Sequence, residues 1–167
     1  MNTSTWTTFT KRIPVRADVP TLYHAWTTRE GLERWFLREA VFTAPDGLIR
    51  SHAGFAQAGD AYLWRWHGYR DDVFEAREVV EANGTDLFSF RFSGNCLVTI
   101  RLKPWDHHTL VEVTQSDIPE DNNPSTSLYV GCGEGWTFYL ANLKSIYEGG
   151  VDLRNRDVGL QGVVVSS

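Results

Sequence analysis

Hydrophobic and polar positions alternate with a period of two through the middle of this chain and change to helical spacing near its two ends. Between Pro124 and Gly150, the residues Leu128, Cys132, Trp136, Tyr139, Leu140, Leu143 and Tyr147 recur at steps of three and four. Pro124 and Ser125 supply an opening signal and Gly149-Gly150 a closing one. No other segment has that length and periodicity, so a long C-terminal helix is expected, with Trp136, Leu140 and Leu143 facing a sheet. Gly131, Gly133 and Gly135 interrupt the first half, and each weakens a helix by roughly 1 kcal/mol relative to alanine. Either the helix begins only near Gly135, after an irregular lead-in from Ser125, or the glycines leave space for a ligand or a crossing strand. The first is the expectation.

At the other end, Trp6 to Pro14 reads as a strand, with Phe9 and Ile13 on one face and Thr8, Thr10 and Arg12 on the other. Asp18 stands where a helix cap would, followed at helical spacing by Val19, Leu22 and Trp26. A second short helix follows, with Thr27 and Glu30 as a capping box and Leu32, Trp35 and Phe36 on one face.

After Arg38 strands alternate with turns. Glu39 to Thr43 is a strand, Pro45-Asp46-Gly47 a turn, and Leu48 to Gly59 a short strand and loop. Tyr62, Trp64 and Trp66 form one apolar face, and Phe74, Ala76 and Val80 the next. Asn83-Gly84 marks a tight turn into Phe88, Phe90 and Phe92. Cys96, Val98, Ile100 and Leu102 follow; after a turn at Asp106-His107-His108, so do Val111 and Val113. Arginines on the parity opposite the large apolar residues describe an antiparallel sheet with one wet face. The fold class is therefore α+β, with six or seven strands covered by one long helix. Residues 1–154 read as one domain. Residues 155–167 read as a tail, with Val163-Val164-Val165 as a possible edge strand.

Composition narrows the function classes. A net charge of −5, with arginines scattered singly, argues against nucleic acid as a partner. The N-terminus has no basic start and no apolar core of a signal peptide, and no apolar run reaches the roughly 20 residues that cross a bilayer. A soluble, cytoplasmic protein with no membrane partner is expected. Cys96 and Cys132 have neither C-x-x-C nor zinc spacing, and the five histidines show no ligand pattern, so neither metal nor cofactor is expected.

Three strings carry a family resemblance: AWTTREGLERWF (Ala25 to Phe36), DLFSFRFS (Asp86 to Ser93) and GWTFYLANLKSIYEGG (Gly135 to Gly150). They resemble the branch of the SRPBCC (START-like) superfamily related to the C-terminal domain of the heat-shock ATPase activator, over about Thr8 to Arg154. The resemblance implies a helix-grip fold, in which a curved antiparallel sheet wraps around the long helix. It also implies a cavity for an apolar small molecule, a minority of the superfamily being cyclases or aromatases. The co-chaperone relative needs a separate N-terminal domain for which these 167 residues leave no room. Ligand binding is therefore expected ahead of a chaperone-associated interaction module, with a homodimer open.

The seven tryptophans and nine phenylalanines exceed what closing a core requires. Trp35, Phe36, Trp64, Trp66, Phe88, Phe90, Trp136 and Tyr139 are the expected lining of an apolar, lipid-like or aromatic site; the plain alternative is a filled core. Glu78 shares the parity of Phe74, Ala76 and Val80 and so joins the pocket candidates, unless a β-bulge returns it to solvent. Gln115, on the parity of Val111 and Val113, is a weaker polar candidate. The glycines at 131, 133 and 135 lack the lysine and spacing of a phosphate loop. There is no G-x-S-x-G elbow and no cysteine with a predictable histidine, so no residue is assigned as catalytic.

Overall fold

The period-two stretches form seven strands, every neighbouring pair antiparallel, in the order β1-β7-β6-β5-β4-β3-β2. The structure is a computed structural model that describes residues 6–160; the valine run at 163–165 lies outside the described residues. Strand β1 (Phe9–Val15) leads into helices α1 (Val19–Thr27) and α2 (Arg29–Trp35). The meander comprises β2 (Glu39–Thr43), β3 (Ala61–Arg65), β4 (Phe74–Ala82), β5 (Leu87–Phe92), β6 (Cys96–Trp105) and β7 (His108–Ser116). Helix α3 (Leu128–Tyr147) closes the fold. This is an α+β helix-grip architecture.

Local chemistry sets the helix boundaries. Asp18 caps α1 by accepting the Thr21 N–H at 2.9 Å, and Pro20 occupies the first turn, where no N–H is needed. The break between α1 and α2 falls one residue later than the expected capping box. Thr27 still belongs to α1, its hydroxyl donating to the Tyr23 carbonyl, and Thr28 caps α2 by accepting from the Gly31 N–H. Glu30 instead hydrogen-bonds His24. The tight abutment of the helices needs a residue without a side chain, since a Cβ on Gly31 would lie 2.2 Å from the His24 carbonyl oxygen.

Helix α3 runs through its three glycines, against the expectation of a start near Gly135. Glycine weakens a helix, but most helical stability in a protein comes from packing. Trp136, Leu140 and Leu143 are buried and hold α3 in the fold. Gly131 and Gly135, four residues apart, share one face; Gly133 lies on another, where a Cβ would come within 3.9 Å of Lys11.

The face assignment in β4 is the reverse of the sequence expectation. Its register sets Trp64 opposite Glu75 and Tyr62 opposite Arg77, while Ala61 stands opposite Glu78. Directly opposed residues share a face, so Glu75 and Arg77 accompany the buried aromatics while Glu78 points outward and is exposed. The register shifts between Val79 and Glu81, leaving Val79 1 % exposed and Val80 43 % exposed. The valine pair made the two parities equivalent in sequence, and the bulge at Val80 lets one strand present Val79 and then Ala82 inward.

Candidate functional site

The aromatic residues divide into a solid core and a cavity wall. Trp35, Trp64, Phe88 and Phe90 are all about 1 % exposed or less and fill the space between sheet and helices. Trp35 lies 4.6 Å from Trp26 between ring centroids, Trp64 stacks on Tyr62 at 4.0 Å, and Phe90 meets Trp64 edge-on at 4.9 Å. Trp35 further donates its indole N–H to the Ala25 carbonyl, fixing α2 against α1. These four candidates are placed for packing and are not on the cavity wall.

The other four aromatics, Phe36, Trp66, Trp136 and Tyr139, line a partly open cavity of about 320 Å3. Phe36, just past the end of α2, is its hub, with ring centroids 4.9 Å from Tyr139, 5.3 Å from Trp136 and 5.8 Å from Trp66. Phe92 of β5 extends the wall at 5.5 Å from Trp136. Leu128, Gly131, Cys132 and Gly135 form the α3 side, and Tyr69 and Val73 of the loop, with Phe74 at the start of β4, the opposite side. The cavity exists where α3 carries no side chain: a Cβ on Gly131 would meet nothing within 4 Å. Gly131 therefore leaves room beside the sheet, and Gly135 lines the same cavity.

Glu75 of β4 and Ser93 of the turn after β5 bring polar groups into this apolar lining. Glu75 accepts hydrogen bonds from the Ser93 hydroxyl and from the Arg77 Nε, the latter at 3.0 Å. Ser93 is held by the 3₁₀ turn Ser93–Asn95, where Gly94 has φ 65° and a Cβ would lie 2.4 Å from Leu128. Only glycine suits both the left-handed backbone and that approach. Gln115, expected to point inward, is fully buried at the back of the wall, where its carboxamide oxygen accepts the Trp136 indole N–H. Burial, and then the neighbouring Tyr69, push the Tyr139 hydroxyl above its ordinary titration range, so it stays protonated.

Glu78 is absent from the cavity lining, which corrects its assignment as a pocket residue. Glu75 takes its place. The signal for Glu75 was the parity of Val79 rather than Val80, a choice the pattern alone leaves undecided. Ser93 and Tyr69 lie in turns, where periodicity carries no facing information.

Tyr69 is also a wall of a second, more open and polar cleft of about 380 Å3 that includes Arg38, His67, Arg70, Asp71 and Arg156. Arg38 pairs with Asp71 at 2.6 Å and Arg156 with Asp152 at 2.8 Å. Burial, then the guanidinium groups of Arg154, Arg156 and Arg38, lower the His67 pKa to about 4, so its imidazole is neutral at pH 7. Behind this cleft Arg154, whose side chain is 3 % exposed, donates to the carbonyls of Glu33, Arg34 and Leu37 at the end of α2 and pairs with Asp152. Asn142 of α3 completes the clamp by donating to the Trp35 carbonyl and accepting the Leu153 N–H. The segment after α3 thus holds the end of α2, and Phe36 just beyond it, in position. Neither Asn142 nor Arg154 stands out in the sequence pattern.

Among the described residues, no cluster of three or more His, Cys, Asp or Glu side chains is placed to hold a metal, and no helix is long and apolar enough to cross a membrane.

A seven-stranded sheet wrapped on a long helix, with an aromatic cavity beside that helix, defines a helix-grip domain. The chain belongs to the family described as activator of Hsp90 ATPase homolog 1-like protein, whose profile matches residues 16–148. Among solved structures it is similar to SSP2350 from Staphylococcus saprophyticus, at 18% identity and TM-score 0.69, over 90% of this chain and 98% of that one. It is also similar to the Aha1 dimer from Colwellia psychrerythraea, at 20% identity and TM-score 0.65, over 86% and 97% of the two chains. DynU16, a putative protein in the dynemicin biosynthetic locus, matches at 19% identity and TM-score 0.62, over 85% of this chain and 47% of that one. At these identities the likeness is one of fold. No curated protein matches the chain significantly.

Proposed function

We propose that this domain binds an apolar small molecule, aromatic or lipid-like, in the cavity between the first half of α3 and the loop joining β3 to β4. The observation that carries this reading is the cavity itself. Its volume of about 320 Å3 falls in the range of ligand pockets, which begins at roughly 300 Å3. Aromatic faces wall it, and glycines on α3 leave its space unfilled. Val73 and Phe74, about half exposed at its mouth, offer apolar surface to an entering molecule. No residue pairing in the cavity calls for a reaction, so binding is the activity proposed.

The test is ligand screening read by two signals. Trp66 and Trp136 line the cavity, so an occupant should quench or shift tryptophan emission. Binding to the folded state alone should also raise the melting temperature by mass action. Fatty acids, sterols and simple fused aromatics cover the class, and native mass spectrometry would show a retained occupant. No response to any of them would overturn the reading.

A second reading concerns assembly. The Colwellia relative is described as a dimer, and β2 here is an edge strand. Homodimerisation is thereby proposed alongside ligand binding, with light scattering over a concentration series as its test. A mass of one chain throughout would reject it.

A further inference from the structure

Resting on the ligand-pocket reading above, we infer that the occupant is an uncharged apolar molecule carrying one hydrogen-bond donor, an O–H or N–H, which docks on Glu75. Among the described residues, Glu75 is the one charged side chain in the cavity lining. Its inward position is imposed by register, since it stands opposite Trp64 in the β3–β4 pair. The alternative parity would have placed Glu75 and Arg77 in water and Ala76 inside. Burying a carboxylate in an apolar wall is costly without partners. This one is 19 % exposed and has two: the Ser93 hydroxyl on Oε1 and the Arg77 guanidinium on Oε2.

Those partners leave acceptor capacity. An ionised carboxylate offers about four lone-pair sites and no donor, so after two bonds each oxygen still has one site. Glu75 can therefore recognise only a group that gives a proton into a hydrogen bond. The charge state of the ligand follows from Arg77. The Glu75–Arg77 pair is already neutral, so a cationic ligand would bring an uncompensated charge against apolar walls. An anion would face the carboxylate directly. A neutral donor makes a charge-assisted bond and adds no charge. The remaining lining, Trp66, Phe92, Trp136 and Tyr139, presents aromatic faces suited to a planar ring system.

Four probes with one ring system separate these possibilities by calorimetry at pH 7 on the full chain. They are 2-naphthol, 2-methoxynaphthalene, 2-naphthoate and 2-naphthylmethylammonium. The expected result is that 2-naphthol binds about tenfold more tightly than its methyl ether, a ratio in line with one charge-assisted hydrogen bond. Both ions should bind more weakly than 2-naphthol. In Glu75→Met the naphthol should fall to the level of the ether while the ether is unchanged. Glu75→Gln keeps the shape and one acceptor oxygen, and should reduce the preference to a few-fold; it carries the test if Glu75→Met does not fold. Equal binding of naphthol and ether to the native chain overturns the donor assignment and leaves the pocket reading standing. Tighter binding of the ammonium probe overturns the neutral-ligand assignment. Failure of all four to bind overturns this inference, and the pocket reading falls with it only when the fatty acids and sterols also give no response.

Discussion

The indole N–H of Trp136 donates to the carboxamide oxygen of Gln115 at 2.9 Å, a buried hydrogen bond from α3 to β7. It fixes the ring that forms the back of the cavity, and it ties the helix to β7, the neighbour of edge strand β1. Gln115→Met keeps the volume but leaves the Trp136 N–H buried without an acceptor. A loss of about 1–3 kcal/mol is expected, together with a shift of tryptophan emission. Denaturant unfolding with fluorescence detection checks both, and unchanged emission would show that the bond does not hold the ring.

Gly131 should tolerate a side chain at the expense of the cavity. A Cβ there meets nothing within 4 Å, and the residue lies in the lining of the cavity. Gly131→Leu should stabilise α3 by about 1 kcal/mol through helix propensity, or roughly 2–4 °C in melting temperature for a chain of this size. It should also abolish the thermal shift produced by any cavity ligand. A variant that still binds would move the ligand site elsewhere.

Arg154 should matter far more than its position beyond the last helix suggests. Its guanidinium satisfies three carbonyls at the end of α2, and the side chain is 3 % exposed. Arg154→Met leaves those acceptors and Asp152 short of a partner, and a loss of about 3 kcal/mol is expected. Arg156→Met, removing a side chain that is 63 % exposed, should cost little by comparison. Melting temperatures of the two variants make the comparison, and equal values would refute the clamp.

Acid stability should carry a His67 signature. Its pKa falls from 6.5 to about 4 on folding, so the folded chain refuses a proton that the unfolded chain accepts. Stability is then full above 6.5 and declines as pH falls from 6.5 toward 4. Buried Asp60 is a lowered carboxylate; burial opposes its ionisation, but hydrogen bonds from Arg50 and the Gln57 N–H outweigh it. Glu33 is likewise lowered, with burial outweighed by His52, the Ala40 N–H and Arg29. For these two, stability is present above their ordinary values of 3.8 and 4.5 and is lost as pH falls through the lowered ones. The interval from 4.5 to 6.5 therefore isolates the histidine from these carboxylates. His67→Asn should flatten the melting-temperature profile there, and parallel profiles would refute the assignment.

Much of this protein was legible in one dimension. Period-two runs ending in Gly, Asn and Asp identify the strands, because an alternating strand can bury only one face. Asp18 and the Gly149-Gly150 pair mark helix ends, because unpaired backbone groups there need local partners. The likeness of Ala25 to Phe36 and Gly135 to Gly150 to a known family identified the architecture. Other features were decided only by tertiary contact. Glu75 rather than Glu78 faces inward because strand β3 sets the register of β4, and Val79 and Val80 are indistinguishable until that pairing is made. Trp64 fills the core while Trp66 lines the cavity because Phe36 and α3 approach only one end of the sheet. Helix α3 continues through Gly131 because packing elsewhere along it outweighs propensity, and the missing side chains become the cavity. Periodicity reports which face of an element avoids water, and only the docking of one element on another determines whether that face is filled or hollow.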